Sequence, residues 1–286
     1  MRIAVLGAGG VFGQNFAQYA KDQGHEVLGI GRSPRKHAPY SLNTDFEYCR
    51  IHAVKGYGGL YSRIAYFAAN VLVNFAAQAG LVPQSWEHPE EFYETNTLLP
   101  IKLGRDYPGH YIHISSSEVY GSVCAPATED SPIRPSSPYA VSKAAADLHL
   151  MTLKDERITV VRPSNCYAEG QALYRLIPRA VLAGLYGKRM DLQGNPQKSY
   201  MHADDLSKAL LILAEKRIAG LFNCGPPMPL GIAKIVATVA QACGKGFAEI
   251  THEAPPRANE DACFWISSEK LTRMTGLRPT ISLSDG

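Results

Sequence analysis

The apolar positions of this chain fall into short unbroken runs separated by amphipathic stretches. Residues 3–6 (Ile-Ala-Val-Leu) form an aliphatic run with no polar alternation, which predicts a strand buried on both faces. A glycine-rich turn follows, Gly7-Ala8-Gly9-Gly10-Val11-Phe12-Gly13, and then a helical pattern over 14–23. Gly24-His25-Glu26 turns the chain into a second buried run at 27–30, completing a β-α-β unit. Further strands are expected at 71–75, 111–114 and 158–161, with one near Phe46-Glu47-Tyr48-Cys49-Arg50. Helical patterns cover 90–103 and 140–153.

Parallel strands require such crossovers, so the class is α/β: a Rossmann-type doubly wound parallel sheet with a smaller mixed α/β substrate lobe. Strand–helix alternation persists to about residue 163. Beyond it, helices at 177–185, 203–215 and 232–242 are interrupted by pieces such as Asn223-Cys224-Gly225-Pro226-Pro227. The expected division is a doubly wound domain over 1–163, to which about 196–225 returns, and a smaller substrate lobe over 164–195 and 226–286.

Composition narrows the class of partner. At 286 residues with 45% apolar and 19% charged positions, the chain can bury a full core. Its 29 basic and 26 acidic residues leave a net charge of +3 with no basic run, which argues against nucleic acid and permits an anionic small molecule. The apolar start at 3–6 is too short for a signal-peptide core, and no segment has about 18 uninterrupted apolar residues, so a cytoplasmic protein is expected. Six widely spaced cysteines make no Cys-x-x-Cys pair and read as reduced thiols. The histidines form no ligand-spaced pair, so no metal is expected.

Gly7, Gly10 and Gly13 follow a strand and open a helix, where glycine lets backbone turn tightly and approach a pyrophosphate at the helix N-terminus; Val11 and Phe12 lie in the same turn. The alternative is a glycine turn with no ligand. After the second strand, where a carboxylate would normally bind a ribose 2′-hydroxyl, the chain has Gly31-Arg32-Ser33. Arg32 can grip a 2′-phosphate, favouring NADP over NAD, or it can be part of a solvated basic loop.

The strand at 111–114 delivers Ser115-Ser116-Ser117-Glu118-Val119-Tyr120-Gly121 at the end where doubly wound sheets present their ligands. Downstream, Tyr139 and Lys143 stand four apart and share one helical face. A phenol of pKa about 10 is a poor base at neutral pH, but an ammonium and a positive nicotinamide would favour its phenolate. Tyr139 could then exchange a proton with a sugar hydroxyl, Ser116 could bond the same oxygen, and Lys143 could also hold the cofactor ribose.

These features resemble the extended short-chain dehydrogenases that act on nucleotide sugars, especially the 4,6-dehydratases and their epimerase, decarboxylase and reductase relatives. The resemblance covers nearly the whole chain. It rests on the glycine turn, Asn74-Phe75-Ala76-Ala77-Gln78, Asn96, the Ser-Ser-Ser-Glu-Val-Tyr-Gly run, Ser137-Pro138-Tyr139-Ala140-Val141-Ser142-Lys143, Arg162-Pro163-Ser164-Asn165-Cys166-Tyr167, and the stretch from Leu192-Gln193-Gly194-Asn195 to Asp204-Asp205. It implies that Ala76 and Ala77 pass along the cofactor, that Gln78 and Ser117 face the sugar, that Asn165 holds the diphosphate, and that Ile177-Pro178, Gln193 and Arg257 frame the nucleotide. It also implies a homodimer through the helix that carries Tyr139. Lys198-Ser199-Tyr200 departs from the family where a nucleotide-binding arginine is common, and the chain reaches Gly286 about where relatives begin a last helix.

Glu118 separates the reaction types. Removing water across C5 and C6 of an oxidised hexose needs a base and an acid, and a carboxylate beside Ser117 can supply either. Glu118 can instead be a polar cap, in which case the same Ser116, Tyr139 and Lys143 support C4 epimerisation or keto-sugar reduction. A catalytically silent NAD(P)-binding sensor is the alternative outside enzymology.

Overall fold

The computed structural model describes residues 1–31, 57–79, 82–256 and 261–286. Arg32, Arg257 and the strand expected near 46–50 lie outside the described residues.

Among the described residues six parallel strands build the central sheet: β1 (Arg2–Leu6), β2 (Glu26–Ile30), β3 (Val71–Asn74), β4 (His110–Ile114), β5 (Ile158–Pro163) and β6 (Gly220–Cys224). Their order is β6-β5-β4-β3-β1-β2. Successive residues face opposite sides, so the unbroken aliphatic runs feed two cores. Ile3, Val5, Val71, Val73 and Ile112 pack with Phe16, Leu210 and Phe222. Ala4, Leu6, Leu72, Tyr111 and Val160 pack with Leu60, Leu103 and Leu150. Helices Val11–Asp22 and Ala203–Glu215 thus cover one face, and Tyr57–Phe67, Leu99–Asp106 and Pro138–Thr152 the other.

Two helices depart from the sequence pattern. The first begins at Val11 rather than 14, because Gly10 is its N-cap and Gly13 already lies inside it. The single helix expected over 90–103 is three pieces: Pro89–Tyr93, a wide π turn Glu94–Leu98, and Leu99–Asp106. Pro100 supplies the reason, since it has no N–H to give the Asn96 carbonyl and its ring would crowd that carbonyl in a regular helix.

Away from the sheet, helices Leu176–Tyr186 and Ile232–Ala242 enclose a separate core of Ala180, Ala183, Met190, Val236, Val239 and Ile250. Strand Met190–Gln193 runs parallel to Thr251–Ala254, and Asn165–Tyr167 parallel to Tyr200–His202. No helix among the described residues is long and apolar enough to cross a membrane.

Candidate active site

Main-chain packing shapes the glycine turn. Gly7 adopts a left-handed φ of +86°, and a Cβ there would sit 2.6 Å from the Ala76 nitrogen and 2.7 Å from the Phe75 carbonyl carbon. A Cβ on Gly13 would collide with the Gly7 carbonyl oxygen and lie 2.9 Å from its carbon. The Gly7 and Ala8 N–H groups donate to the Ile30 carbonyl at 2.7 and 3.1 Å, fastening the turn to β2. The helix beyond has no side-chain cap and no acidic residue in its first turn, so its N-terminal N–H groups suit an anion. The cradle fits a dinucleotide pyrophosphate. Val11 and Phe12 open that helix, and Ala76 and Ala77 leave β3 half-buried beside Gly7.

Asn74 and Asn96 hold the next segment. Asn74 Oδ1 accepts from the Ala76 N–H at 3.0 Å. Asn96, buried in the π turn, accepts from the Gln78 N–H at 2.8 Å, returns a bond to the Gln78 carbonyl at 3.1 Å, and donates to Ser142 Oγ at 3.0 Å. It therefore ties the strand end that carries Gln78 to the helix that carries Tyr139 and Lys143.

Beyond β4, Ser116 caps a 3₁₀ turn, Ser117–Tyr120, its Oγ accepting from the Glu118 N–H at 3.2 Å. Pro138 and the Ser137 cap start helix Pro138–Thr152, where the Ser137 Oγ accepts from the Ala140 N–H at 3.2 Å. The structure brings Ser116, Glu118 and Tyr139 together. Burial pushes the Tyr139 phenol up and Glu118 adds to the rise, while a hydrogen bond with the Ser116 side chain and the nearby Arg175 pull it down. Burial also raises the Glu118 carboxyl, opposed by Lys198 and Arg175 and assisted by Asp261. Lys143, buried, donates to the Ile114 carbonyl at 2.9 Å; burial lowers its ammonium to about 8 and Asp147 acts against that fall.

Asn165 lies in a short strand, its N–H donating to the Ser199 carbonyl at 3.1 Å, so the segment following Lys198 runs alongside it. Gln193 ends strand Met190–Gln193 opposite Ala254, and Gly194 approaches Pro256, where an added Cβ would come within 3.4 Å. Ser117 is buried at the start of the 3₁₀ turn.

Sequence reading missed Arg175. It stands at the N-cap of helix Leu176–Tyr186, donates to the Ala79 carbonyl at 3.3 Å and lies over the Tyr174 ring, within electrostatic reach of both Glu118 and Tyr139. Only its place beside the recognisable Leu176-Ile177-Pro178 run hinted at it. Asp147, one helical turn beyond Lys143, was missed as well. Among the described residues, no group of three His, Cys, Asp or Glu side chains could hold a metal ion.

A model of the NAD dependent epimerase/dehydratase family matches residues 3–225. Over 201 residues the chain is 31% identical to a dTDP-glucose 4,6-dehydratase of Streptomyces griseus, the match covering 67% of this chain and 60% of that enzyme, which is less than two thirds of its length. It is 26% identical to a UDP-glucose 4-epimerase of Mycolicibacterium smegmatis, covering 100% of this chain and 96% of the other. A solved dTDP-glucose 4,6-dehydratase from Streptomyces venezuelae, DesIV with NAD and TYD bound, superposes with a TM-score of 0.87 at 25% identity, covering 100% and 94% of the two chains. The matched stretch runs from β1 through β6 and so contains the glycine turn, Ser116, Glu118, Tyr139 and Lys143: the chain belongs to the NAD dependent epimerase/dehydratase family.

Proposed function

We propose that this enzyme oxidises C4 of a nucleotide-diphosphate sugar, eliminates water across C5 and C6, and has the hydride taken from C4 return at C6 while C5 regains a proton, so that the net change is loss of one water and C4 stays a ketone. The observation that carries the dehydratase reading is Glu118: a half-buried carboxyl whose pKa is raised by desolvation, sharing its surroundings with Ser116 and Tyr139. The chemistry supplied by a bound nicotinamide is reversible hydride acceptance. Around it, Gly7, Gly10 and Gly13 admit the pyrophosphate, with Val11 and Phe12 at the helix start, and Lys143 holds the ribose. Tyr139 takes the C4 hydroxyl proton while Ser116 bonds the same oxygen. Glu118 then removes the C5 proton and protonates the departing C6 hydroxyl. Gln78 and Ser117 orient the sugar, Asn165 with Arg175 and Lys198 faces the diphosphate, and Gln193 and Arg257 frame the base. The domain division at 1–163 with 196–225, against 164–195 with 226–286, puts the sugar nucleotide between the two lobes.

NADP is the proposed cofactor, with NAD the alternative, on the charge of Arg32 alone. A larger melting shift with NAD than with NADP would reverse that choice. A homodimer is proposed through helix Pro138–Thr152, where Val141 and Leu148 are 37% and 55% exposed beside the 49% exposed Leu98.

One observation favours a second reading, C4 epimerisation: the Mycolicibacterium smegmatis epimerase matches the chain over almost the full length of both proteins. The test is incubation with GDP-, UDP-, CDP- and dTDP-hexoses and NAD or NADP, reading product masses. Loss of one water, abolished by Glu118→Gln, supports the dehydratase. An unchanged mass with an inverted C4 makes Glu118 structural. Cofactor binding with no conversion of any sugar would leave a sensor.

A further inference from the structure

Behind Tyr139 lies a buried charge that the reaction above does not use. Tyr139, Lys143 and Asp147 recur every four residues on helix Pro138–Thr152, so their side chains line one side of it. Asp147 has no exposed surface. From β4, Ser115 Oγ donates to Asp147 Oδ2 at 2.7 Å, and from β5, Arg162 Nε donates to the same oxygen at 2.8 Å. The other oxygen, Oδ1, makes no hydrogen bond and lies 3.9 Å from Nε2 of His113, whose ring nitrogens are also without hydrogen-bond partners. Arg162 is held in turn by the Tyr120 hydroxyl at 2.7 Å, which donates to Asn223 Oδ1 at 2.9 Å.

Lys143 stands one turn before Asp147 on the same helix, and its hydrogen bond goes to a neutral carbonyl, that of Ile114. Asp147 is the anion that supports the Lys143 charge against burial, and directly it opposes the Tyr139 phenolate, less than Glu118 does. His113 does not compete for that role: burial and Lys143 both hold it well below the usual imidazole range, so it is neutral. Burial raises the Asp147 carboxyl above its ordinary range, and Arg162, Ser115 and Lys143 pull it back; the 2.8 Å ion pair with Arg162 is the contact that favours its charged form.

We infer that Asp147 is a positioning residue for the reaction, a fixed buried anion that keeps Lys143 protonated so that Lys143 can hold the cofactor ribose and support the Tyr139 phenolate. The inference rests on the catalytic reading of Tyr139 and Lys143.

The test is the pH dependence of kcat. Lys143 must be protonated, so turnover is lost as pH rises through its pKa. Removing the anion lowers that pKa and moves the alkaline limb down. Asp147→Asn is expected to shift it by about 1–2 pH units with little change in KM for the nucleotide sugar. Because that substitution leaves Arg162 buried and uncompensated, the double variant Asp147→Asn/Arg162→Gln exchanges the ion pair for two neutral amides and is expected to show the same shift. Tyr120→Phe loosens Arg162 without touching the charge on Asp147 and should leave the limb in place. An unmoved limb in a folded Asp147 variant, or an equal shift in Tyr120→Phe, overturns the inference. Lys143→Met separates the two levels: if that variant still turns over substrate, the catalytic reading itself has failed.

Discussion

Alanine introduced at Gly7 meets two obstacles. The left-handed φ of +86° costs an L-residue about 1–2 kcal/mol, and a Cβ 2.6 Å from the Ala76 nitrogen has only backbone to push against, which adds about 1–3 kcal/mol. With an unfolding entropy of about 2.1 cal/mol/K per residue, a loss of about 2–5 kcal/mol lowers the melting temperature of a chain this long by about 3–8 °C. Gly13→Ala carries the collision with the Gly7 carbonyl without the φ penalty, so it should fall lower in that range. Gly10 differs: its φ is −89°, and an added Cβ would meet only the Gly7 oxygen at 3.4 Å. At Gly10, alanine's poorer capping and the lower entropy of the unfolded chain nearly cancel, leaving stability within about 0.5 kcal/mol. Its methyl group would nevertheless stand at the helix N-terminus where a pyrophosphate must approach, and a tenfold loss of cofactor affinity corresponds to about 1.4 kcal/mol. Melting scans without cofactor and fluorescence titration with NAD and NADP read the two effects separately. Gly10→Ala melting as low as Gly7→Ala would refute the packing argument. Gly10→Ala binding both dinucleotides as tightly as the unmodified protein would refute the pyrophosphate placement.

His110 and the exposed helix face give two further expectations. Burial, aided by Arg217, lowers the His110 imidazole to about 4, below its ordinary 6.5. A lowered histidine contributes stability that is complete above pH 6.5 and lost as pH falls towards 4, because the unfolded chain takes up the proton first. Urea midpoints measured from pH 7 to 4.5 should fall less steeply in His110→Gln, and an unchanged slope would remove His110 from the account. Leu148→Glu, two turns along the helix from Val141 and exposed like it, should sediment as a monomer at micromolar concentration with its melting temperature little changed; a dimer of undiminished strength would move the interface elsewhere.

The elements that the chain declares by itself are those whose burial follows a short local period, even where their hydrogen bonds, like those of β1 to β2 and β3, are long-range. The aliphatic run at 3–6, the glycine turn and the helix behind it, and the four-residue spacing of Tyr139 and Lys143 are all patterns of one or two adjacent elements, so their periodicity survives in the sequence. Even the π turn had a local sign in Pro100. Charge compensation has no such period. Arg162 meets Asp147 because β5 packs under helix Pro138–Thr152, and Arg175 and Lys198 come within reach of Glu118 because segments far along the chain return to the end of β4. A buried charge must find its counterion wherever packing brings one, since an unpaired ion in the interior costs several kcal/mol. The sequence alone therefore marked five of the six described strands, missing Gly220–Cys224, together with the glycine turn and the Tyr139–Lys143 spacing, and the tertiary structure decided which charges surround Tyr139 and Lys143 and so the direction in which their proton affinities shift.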